Sequence, residues 1–105
     1  MVENNARDLY SGLIRLHVLH HACEGPIFGL GMLEELARHG YWISPGTLYP
    51  MLHRMERLGW LKSKADARKG KRARRDYRLT AEGRAVLRIL REQLKELYDE
   101  VGGRP

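Results

Sequence analysis

Basic side chains are concentrated between Lys62 and Arg78, and this decides where the stretch can lie in a fold. This basic segment contains nine basic and two acidic side chains, whereas the rest of the 105-residue chain has ten basic and eleven acidic ones. Charged side chains are almost never buried without a partner, so the segment has to lie on the surface. A block of one sign favours an anionic partner, nucleic acid first and an anionic membrane surface second. The alternative is a charged loop without a binding role.

Length and composition limit the class of protein. A chain of 105 residues, 43% of them hydrophobic, is enough for one domain with a core and too short for two domains. No apolar run approaches the ~18 residues that span a bilayer, and the N-terminus lacks a signal-peptide pattern, so we expect no membrane partner. The single cysteine, Cys23, cannot form an internal disulfide, which favours a reducing compartment and a cytoplasmic location.

Apolar spacing predicts two helices at the start of the chain. The first is predicted over residues 7–22 and the second over residues 28–39, with Phe28 pointing inward. Gly40 follows the second helix and suits the left-handed conformation at a helix end. The first helix is predicted to have an apolar stripe with a second apolar group beside it: the stripe is Leu9, Leu13, Leu16 and His20, and the group is Ile14, Val18 and Leu19.

A third helix is predicted to start at Ser44 and Pro45 and to end at Gly59. Serine is a good N-cap, and proline suits the first helical position because its missing N–H has no partner there. Pro50 removes a hydrogen bond, so either the first turn is kinked or the helix begins near Thr47. The predicted buried face consists of Leu48, Met51, Leu52, Met55 and Leu58.

The basic segment is predicted to form most of a β-hairpin. The strands are residues 60–65 and 74–80, and the loop 66–73 between them contains Gly70 as its turn residue. The apolar anchors of the two strands are Trp60, Tyr77 and Leu79.

The end of the chain predicts a last helix with an apolar seam. Thr80 is a good N-cap for a helix over residues 81–101. The seam has apolar residues spaced three and four apart, which is a heptad pattern too short for a coiled coil alone. Its members are Leu87, Leu90, Leu94, Leu97 and Val101. A single small protomer cannot bury all of them, so we expect a homodimer through this helix.

The predicted order of elements is that of a winged helix-turn-helix. The predicted fold class is therefore mainly α with a β-hairpin (α+β). Residues 1–80 are the predicted DNA-binding domain, and residues 81–105 are a C-terminal dimerisation helix packed on it as one structural unit. In such a domain the recognition helix enters the major groove, while the hairpin, or wing, lies against the neighbouring backbone.

Three stretches are similar to the PadR family of bacterial transcriptional regulators. They are residues 46–59 (GTLYPMLHRMERLG), 24–29 (EGPIFG) and 75–84 (RDYRLTAEGR). The resemblance implies a homodimeric, DNA-binding, ligand-responsive repressor of the short form, which has one C-terminal dimerisation helix. Relatives often have tyrosine where this chain has Leu30, so no contact is carried over to that position.

Polar residues of the third helix and the wing are the candidates for DNA contact. A large exposed tyrosine and a basic residue near a helix N-terminus suit phosphate and base-edge contacts, which favours Tyr49 and Arg54. Thr47 and His53 are equally compatible with ordinary surface roles, and Ser44 is both a cap and a candidate phosphate donor. The complete set is Ser44, Thr47, Tyr49, His53 and Arg54 on the helix, and Lys69, Lys71, Arg72 and Arg74 on the wing.

The sequence gives little support to metal or enzyme chemistry. His17 and His21 are one helical turn apart, with Cys23 nearby, but His39 and His53 belong to other helices, so we expect no metal site and no cofactor. The sequence shows no nucleophile–base pairing, no phosphate-cradling glycine loop and no acid pair, so we expect no enzyme.

Together these features predict a sequence-specific transcriptional repressor that binds a palindromic operator in double-stranded DNA as a homodimer. A small apolar or aromatic ligand between the dimer halves, with Trp42 as an open candidate for contact, would release it. The alternative is a winged-helix module that contacts RNA or protein without operator specificity.

Overall fold

The computed structural model describes residues 7–65 and 74–103. Its elements are α1 (Arg7–Glu24), β1 (Ile27–Phe28), α2 (Gly29–Arg38), α3 (Pro45–Arg57), β2 (Leu61–Ala65), β3 (Arg75–Leu79) and α4 (Ala81–Leu97), with a π-helical turn at Tyr98–Gly102. This order is that of a winged helix-turn-helix, so the predicted fold class is confirmed. The predicted loop 66–73, with Gly70, lies outside the described residues.

One face of α1 forms the centre of the core, and it contains the apolar group predicted beside the Leu9–Leu13 stripe. The buried residues of α1 are Ile14, Val18, Leu19 and Ala22. Leu9 is 78% exposed and Leu13 is 40% exposed, and His20 is half-buried. The sequence thus identified both apolar groups of α1, but not which of them the other elements cover. Periodicity shows both of them, whereas the other elements cover only one.

The α2 and α3 helices complete the core from the other side. Their buried residues are Met32 and Leu36 on α2, and Leu48, Met51, Leu52 and Met55 on α3. Leu58, predicted to be buried, is 43% exposed because it is the C-cap and lies beyond the last helical residue.

The sheet has three antiparallel strands in the order β1-β3-β2. The central residue is Tyr77, which is buried and pairs with Ile27 on one side and Ser63 on the other. The hairpin of β2 and β3 is confirmed. The β1 strand was missed, and Phe28 was assigned to the second helix, because two residues are too few to show an alternating pattern.

The predicted end of α2 and both predicted ends of α3 are confirmed by their hydrogen bonds and dihedral angles, whereas α1 extends to Glu24 and α4 ends at Leu97 rather than at residue 101. The Ser44 hydroxyl accepts a hydrogen bond from the backbone N–H of Thr47 at 3.2 Å, with Pro45 as the first helical residue. The helix runs from Pro45 through Pro50 without interruption, so it does not begin near Thr47. Gly40 and Gly59 follow α2 and α3 with φ of 91° and 88°, values that glycine adopts without strain.

The first turn of α4 packs tightly on the end of the wing. The Thr80 hydroxyl donates to the carbonyl of Gly59 and accepts from the N–H of Gly83 at 2.9 Å. Gly83 is buried against the Trp60 carbonyl and the Leu79 side chain, which leaves no room for a Cβ. In the described part of the chain, no helix is long and apolar enough to cross a membrane.

Gly83→Ala is expected to lower the free energy of unfolding by about 1–3 kcal/mol, because the methyl group overlaps backbone that cannot move aside. The matched control is Gly46→Ala, whose added Cβ would meet only the Ser44 hydroxyl, at 3.6 Å. Urea unfolding of the two variants measures the difference. Equal stabilities would contradict the tight packing of α4 on Trp60.

Candidate nucleic-acid interface

The exposed face of α3 carries the candidate contact residues. Thr47, His53 and Arg54 are all exposed, and Tyr49 is 41% exposed. Ser44 is also exposed, and its hydroxyl lies 3.3 Å from that of Thr47 at the start of α3. The first N–H groups of a helix and its dipole both favour an anion at this end.

The Tyr49 ring is partly packed rather than freely exposed. It lies directly over Gly29 at the start of α2, and an ideal Cβ at Gly29 would lie only 2.9 Å from the ring carbon Cζ. The missing side chain at position 29 therefore leaves room for the ring against the start of α2. This packing holds the tyrosine on the edge of the exposed face of α3.

A cleft of about 470 Å³ connects α3 to the wing, and we call it the interface cleft. Tyr49 and His53 line it from α3, Arg74 and Arg75 line it from the wing, and Phe28 lines it from β1. The fold thus brings together three predicted site residues, Tyr49, His53 and Arg74. Arg75 was not among the predicted residues, although its position in the basic segment was a signal for it.

Arg74 is held above the interface cleft by two neighbours. Its guanidinium carbon lies 4.1 Å from the centre of the Phe28 ring, and its Nε lies 3.3 Å from a carboxylate oxygen of Asp76. These contacts restrict the orientation of the side chain but leave it 64% exposed. Its outer surface is therefore open to an anionic partner.

The structure places none of the remaining wing candidates. Lys69, Lys71 and Arg72 lie outside the described residues. The exposed basic residues on the described strands are Lys62, Lys64, Arg75 and Arg78.

Glu56 connects α3 to the wing. Its carboxylate accepts a hydrogen bond from the backbone N–H of Ser63 at 2.9 Å and from the Ser63 hydroxyl at 2.7 Å. The same hydroxyl oxygen accepts a hydrogen bond from Arg75 at 2.9 Å. Burial acts to raise the pKa of Glu56, but the Ser63 hydrogen bonds and the charges of Arg75 and His53 outweigh it and lower the pKa.

The apolar seam of α4 divides into a buried and an exposed part. Leu87 is 2% exposed and belongs to the core of its own protomer, and Leu90 is half-buried against that core. Leu94, Leu97 and Val101 are 44%, 52% and 69% exposed. The seam divides because only the first turns of α4 lie on the core, and every residue from 91 to 103 is exposed.

The exposed stripe of α1 lies at the same end of the protomer as the exposed half of α4. Arg84 lies 3.5 Å from the sulfur of Cys23, and Arg91 lies 3.3 Å from a ring nitrogen of His20. These contacts show that α4 runs antiparallel to α1. The exposed Leu9 and Leu13, in the N-terminal half of α1, therefore lie toward the same end of the helix pair as the exposed half of α4.

Comparison with known proteins identifies similar chains. The sequence profile of the transcriptional regulator PadR-like family matches residues 18–89. The transcriptional regulator Rv3488 of Mycobacterium tuberculosis is 50% identical over 97 residues, which cover 92% of this chain and 90% of that protein.

Solved structures agree with this result. The crystal structure of a PadR family transcriptional regulator from Eggerthella lenta has a TM-score of 0.79 and 38% identity, and the match covers 93% of this chain and 86% of that chain. A PadR-like transcriptional regulator from Bacillus cereus has a TM-score of 0.80 at 21% identity, with 91% and 94% coverage, and at this identity it supports the fold alone.

Glu56→Gln is expected to lower the free energy of unfolding by about 1 kcal/mol at neutral pH, because an amide offers one acceptor oxygen and no negative charge. The pKa of Glu56 is lowered from 4.5, so the contribution of the carboxylate is complete above pH 4.5 and is lost as the pH falls below it. Urea unfolding at several pH values should show the gap to the wild type closing below pH 4.5. Glu34→Gln, at an exposed position on α2, is the control and should leave stability unchanged. A gap that persists in acid would contradict this account.

Proposed function

The chain belongs to the PadR-like family of transcriptional regulators, and from this we propose that it is a repressor that binds a palindromic DNA operator as a homodimer. As a member of this family the chain is a regulator and not an enzyme. The observation that carries the proposal is the interface cleft, in which Tyr49 and His53 of α3 lie opposite Arg74 and Arg75 of the wing.

We assign base contacts to α3. Tyr49 and Arg54 lie on the exposed face of the helix, and a helix of this kind fits the major groove. Thr47 and His53 are on the same face and are proposed to contact DNA at the periphery of this helix–groove interface. Ser44 is proposed to donate its hydroxyl to a phosphate, since its oxygen already accepts the capping hydrogen bond.

We assign phosphate contacts to the wing. Arg74 has the partly fixed orientation that a phosphate contact needs, and Lys69, Lys71 and Arg72 belong to the same basic segment. Contacts to the backbone position a protein on DNA without reading its sequence. Residues 1–80 are thus the proposed DNA-binding part of the chain.

We assign dimerisation to residues 81–105 together with the exposed stripe of α1. Leu94, Leu97 and Val101 have no cover within the described part of the protomer, and Leu9 and Leu13 are exposed at the same end of the helix pair. Large exposed apolar patches on soluble proteins are typical of interaction sites. A two-fold contact would bury the same patch on both copies.

We further propose that a small apolar or aromatic ligand between the two protomers lowers the affinity for DNA. Exposed apolar side chains on both α1 and α4 support this proposal, because they could line an apolar site between the protomers. Trp42 is 83% exposed and lies two residues before the N-cap of α3, so it is proposed to contact DNA or solvent rather than this ligand. Coupling is reciprocal, so DNA must weaken ligand binding by the same factor.

The alternative is a winged helix that contacts RNA or protein without operator specificity. Selection of bound duplexes from a random oligonucleotide pool distinguishes the two. A recovered palindrome with half-sites about one helical turn apart supports the operator proposal. Equal binding to single strands and double-stranded RNA supports the alternative.

Substitutions on α3 and on the wing are expected to affect DNA binding differently. Tyr49→Ala or Arg54→Ala should cost about 1–3 kcal/mol per half-site and reduce discrimination against mismatched operators. Arg74→Ala or Lys71→Ala should weaken all sequences alike. Each should also flatten the plot of log K against log salt by about 0.9 for every phosphate that the variant no longer neutralises, and by twice that in a dimer.

The measurement is a salt titration of each variant on operator and scrambled duplexes. Arg88→Ala, at an exposed position on α4, is the control and should bind like the wild type. Loss of specificity in the wing variants with only general weakening in the α3 variants would reverse the assigned roles. No effect in either class would refute the DNA-binding proposal.

The double variant Leu94→Asp with Leu97→Asp is expected to be monomeric and to lose operator binding. Both leucines are exposed in the protomer, so its own fold should be retained, which circular dichroism can verify. Lys95→Asp replaces a positive charge off the seam with a negative one and should remain dimeric. Sedimentation measures the state, and a wild type that is monomeric at tens of micromolar would contradict the dimer.

A further inference from the structure

Three histidines from two different helices converge on one side of the domain. His17 and His21 are one turn apart on α1, and His39 is the C-cap of α2. One ligand atom from each lies within 4.8 Å of those from the other two. The sequence argued against a metal because His39 belongs to another helix, but the packing of α2 on α1 brings it to the pair. Cys23 is not in this group, and its sulfur faces Arg84 at 3.5 Å.

The rings are packed closely enough to act together. His17 is stacked on His39 with ring centres 4.7 Å apart, and His21 lies 6.2 Å from both, almost parallel to His17. Burial, together with the neighbouring histidines, lowers the pKa of His17. A neutral imidazole is the form that binds a metal.

Glu35 supplies a carboxylate to the same group. One of its oxygens lies 3.0 Å from Nε2 of His39 and 3.8 Å from Nε2 of His21. Metal–nitrogen bonds of about 2.0–2.1 Å in a tetrahedral site place neighbouring ligand atoms ~3.3 Å apart, which lies between these two distances. The other carboxylate oxygen is held by Arg38 at 2.7 Å, so the first one stays directed at the histidines.

We propose that His17, His21, His39 and Glu35 form a binding site for a divalent transition metal that links α1 to α2. Three imidazoles and one carboxylate suit Zn²⁺ or Co²⁺ in tetrahedral geometry and disfavour Mg²⁺ and Ca²⁺, which prefer more oxygen ligands. A cleft of about 310 Å³ beside His21 and Glu35 gives an ion access from solvent. His39 is 44% exposed, so its ring can rotate the short distance that closes the site.

The packed rings have another explanation, which is aromatic stacking without a metal. Tyr41 also contacts His17 edge to face, with ring centres 5.3 Å apart. A second group, His20, His21 and Glu24, also brings three ligand atoms together. The test therefore has to separate three outcomes: the proposed site, the neighbouring group and no site.

The experiment titrates tag-free protein, dialysed against a chelator, with Zn²⁺ by calorimetry and with Co²⁺ by visible absorption. The expected result is one ion per chain, with the strong absorption of four-coordinate Co²⁺. His39→Ala and His17→Ala should weaken binding by about 100-fold or more, and Glu35→Gln by at least about 10-fold. His53→Ala removes a histidine of α3 outside the group and should bind Zn²⁺ and Co²⁺ with the affinity of the wild type.

His20→Ala separates the two groups of ligands. Unchanged binding in this variant, together with loss in His39→Ala, supports the proposed site. Loss in His20→Ala with retention in His39→Ala assigns the metal to the neighbouring group and overturns the proposal. Absence of saturable binding to the wild type also overturns it. Circular dichroism of each metal-free variant confirms that a loss of binding is not a loss of fold.

Discussion

Burial of Leu48, Leu52 and Met55 determines the rotation of α3 about its own axis. These three side chains are almost completely excluded from water, and removing any one of them from the core would cost a few kcal/mol. When one face of a helix is fixed against the core, the residues on its opposite face are fixed as the exposed ones. The exposure of Tyr49, His53 and Arg54 is therefore a consequence of the core.

The wing is positioned relative to α3 by polar contacts instead. Glu56 accepts two hydrogen bonds from Ser63 on β2, and Arg75 on β3 donates to the same serine. Phe28 on β1 contacts the guanidinium of Arg74 in the neighbouring part of the wing. The orientation of the arginines thus depends on all three strands, including the two-residue strand β1. Apolar packing places the helix, and charge-assisted contacts place the side chains beside it.

Local signals in the sequence were sufficient for some features and insufficient for others. Ser44, Gly40 and Thr80 mark helix ends through chemistry that involves only nearby residues, and the structure agrees with each of them. Which stripe of α1 is buried depends on the elements that pack against it, so periodicity alone did not show that Leu9 and Leu13 stay exposed. The approach of His39 to His17 likewise depends on how two helices pack, and spacing within one helix carries no information about it.

The exposed end of α4 makes the stability of this helix depend on the concentration of the protein. From residue 91 to residue 103 every side chain is exposed. A helical stretch of this length is only marginally stable in water without tertiary packing. In a lone protomer its amide hydrogens should exchange with solvent quickly, and its backbone should be open to proteases. A second copy that covers the stretch would slow both processes, so the lifetime of the protein would rise with its own abundance.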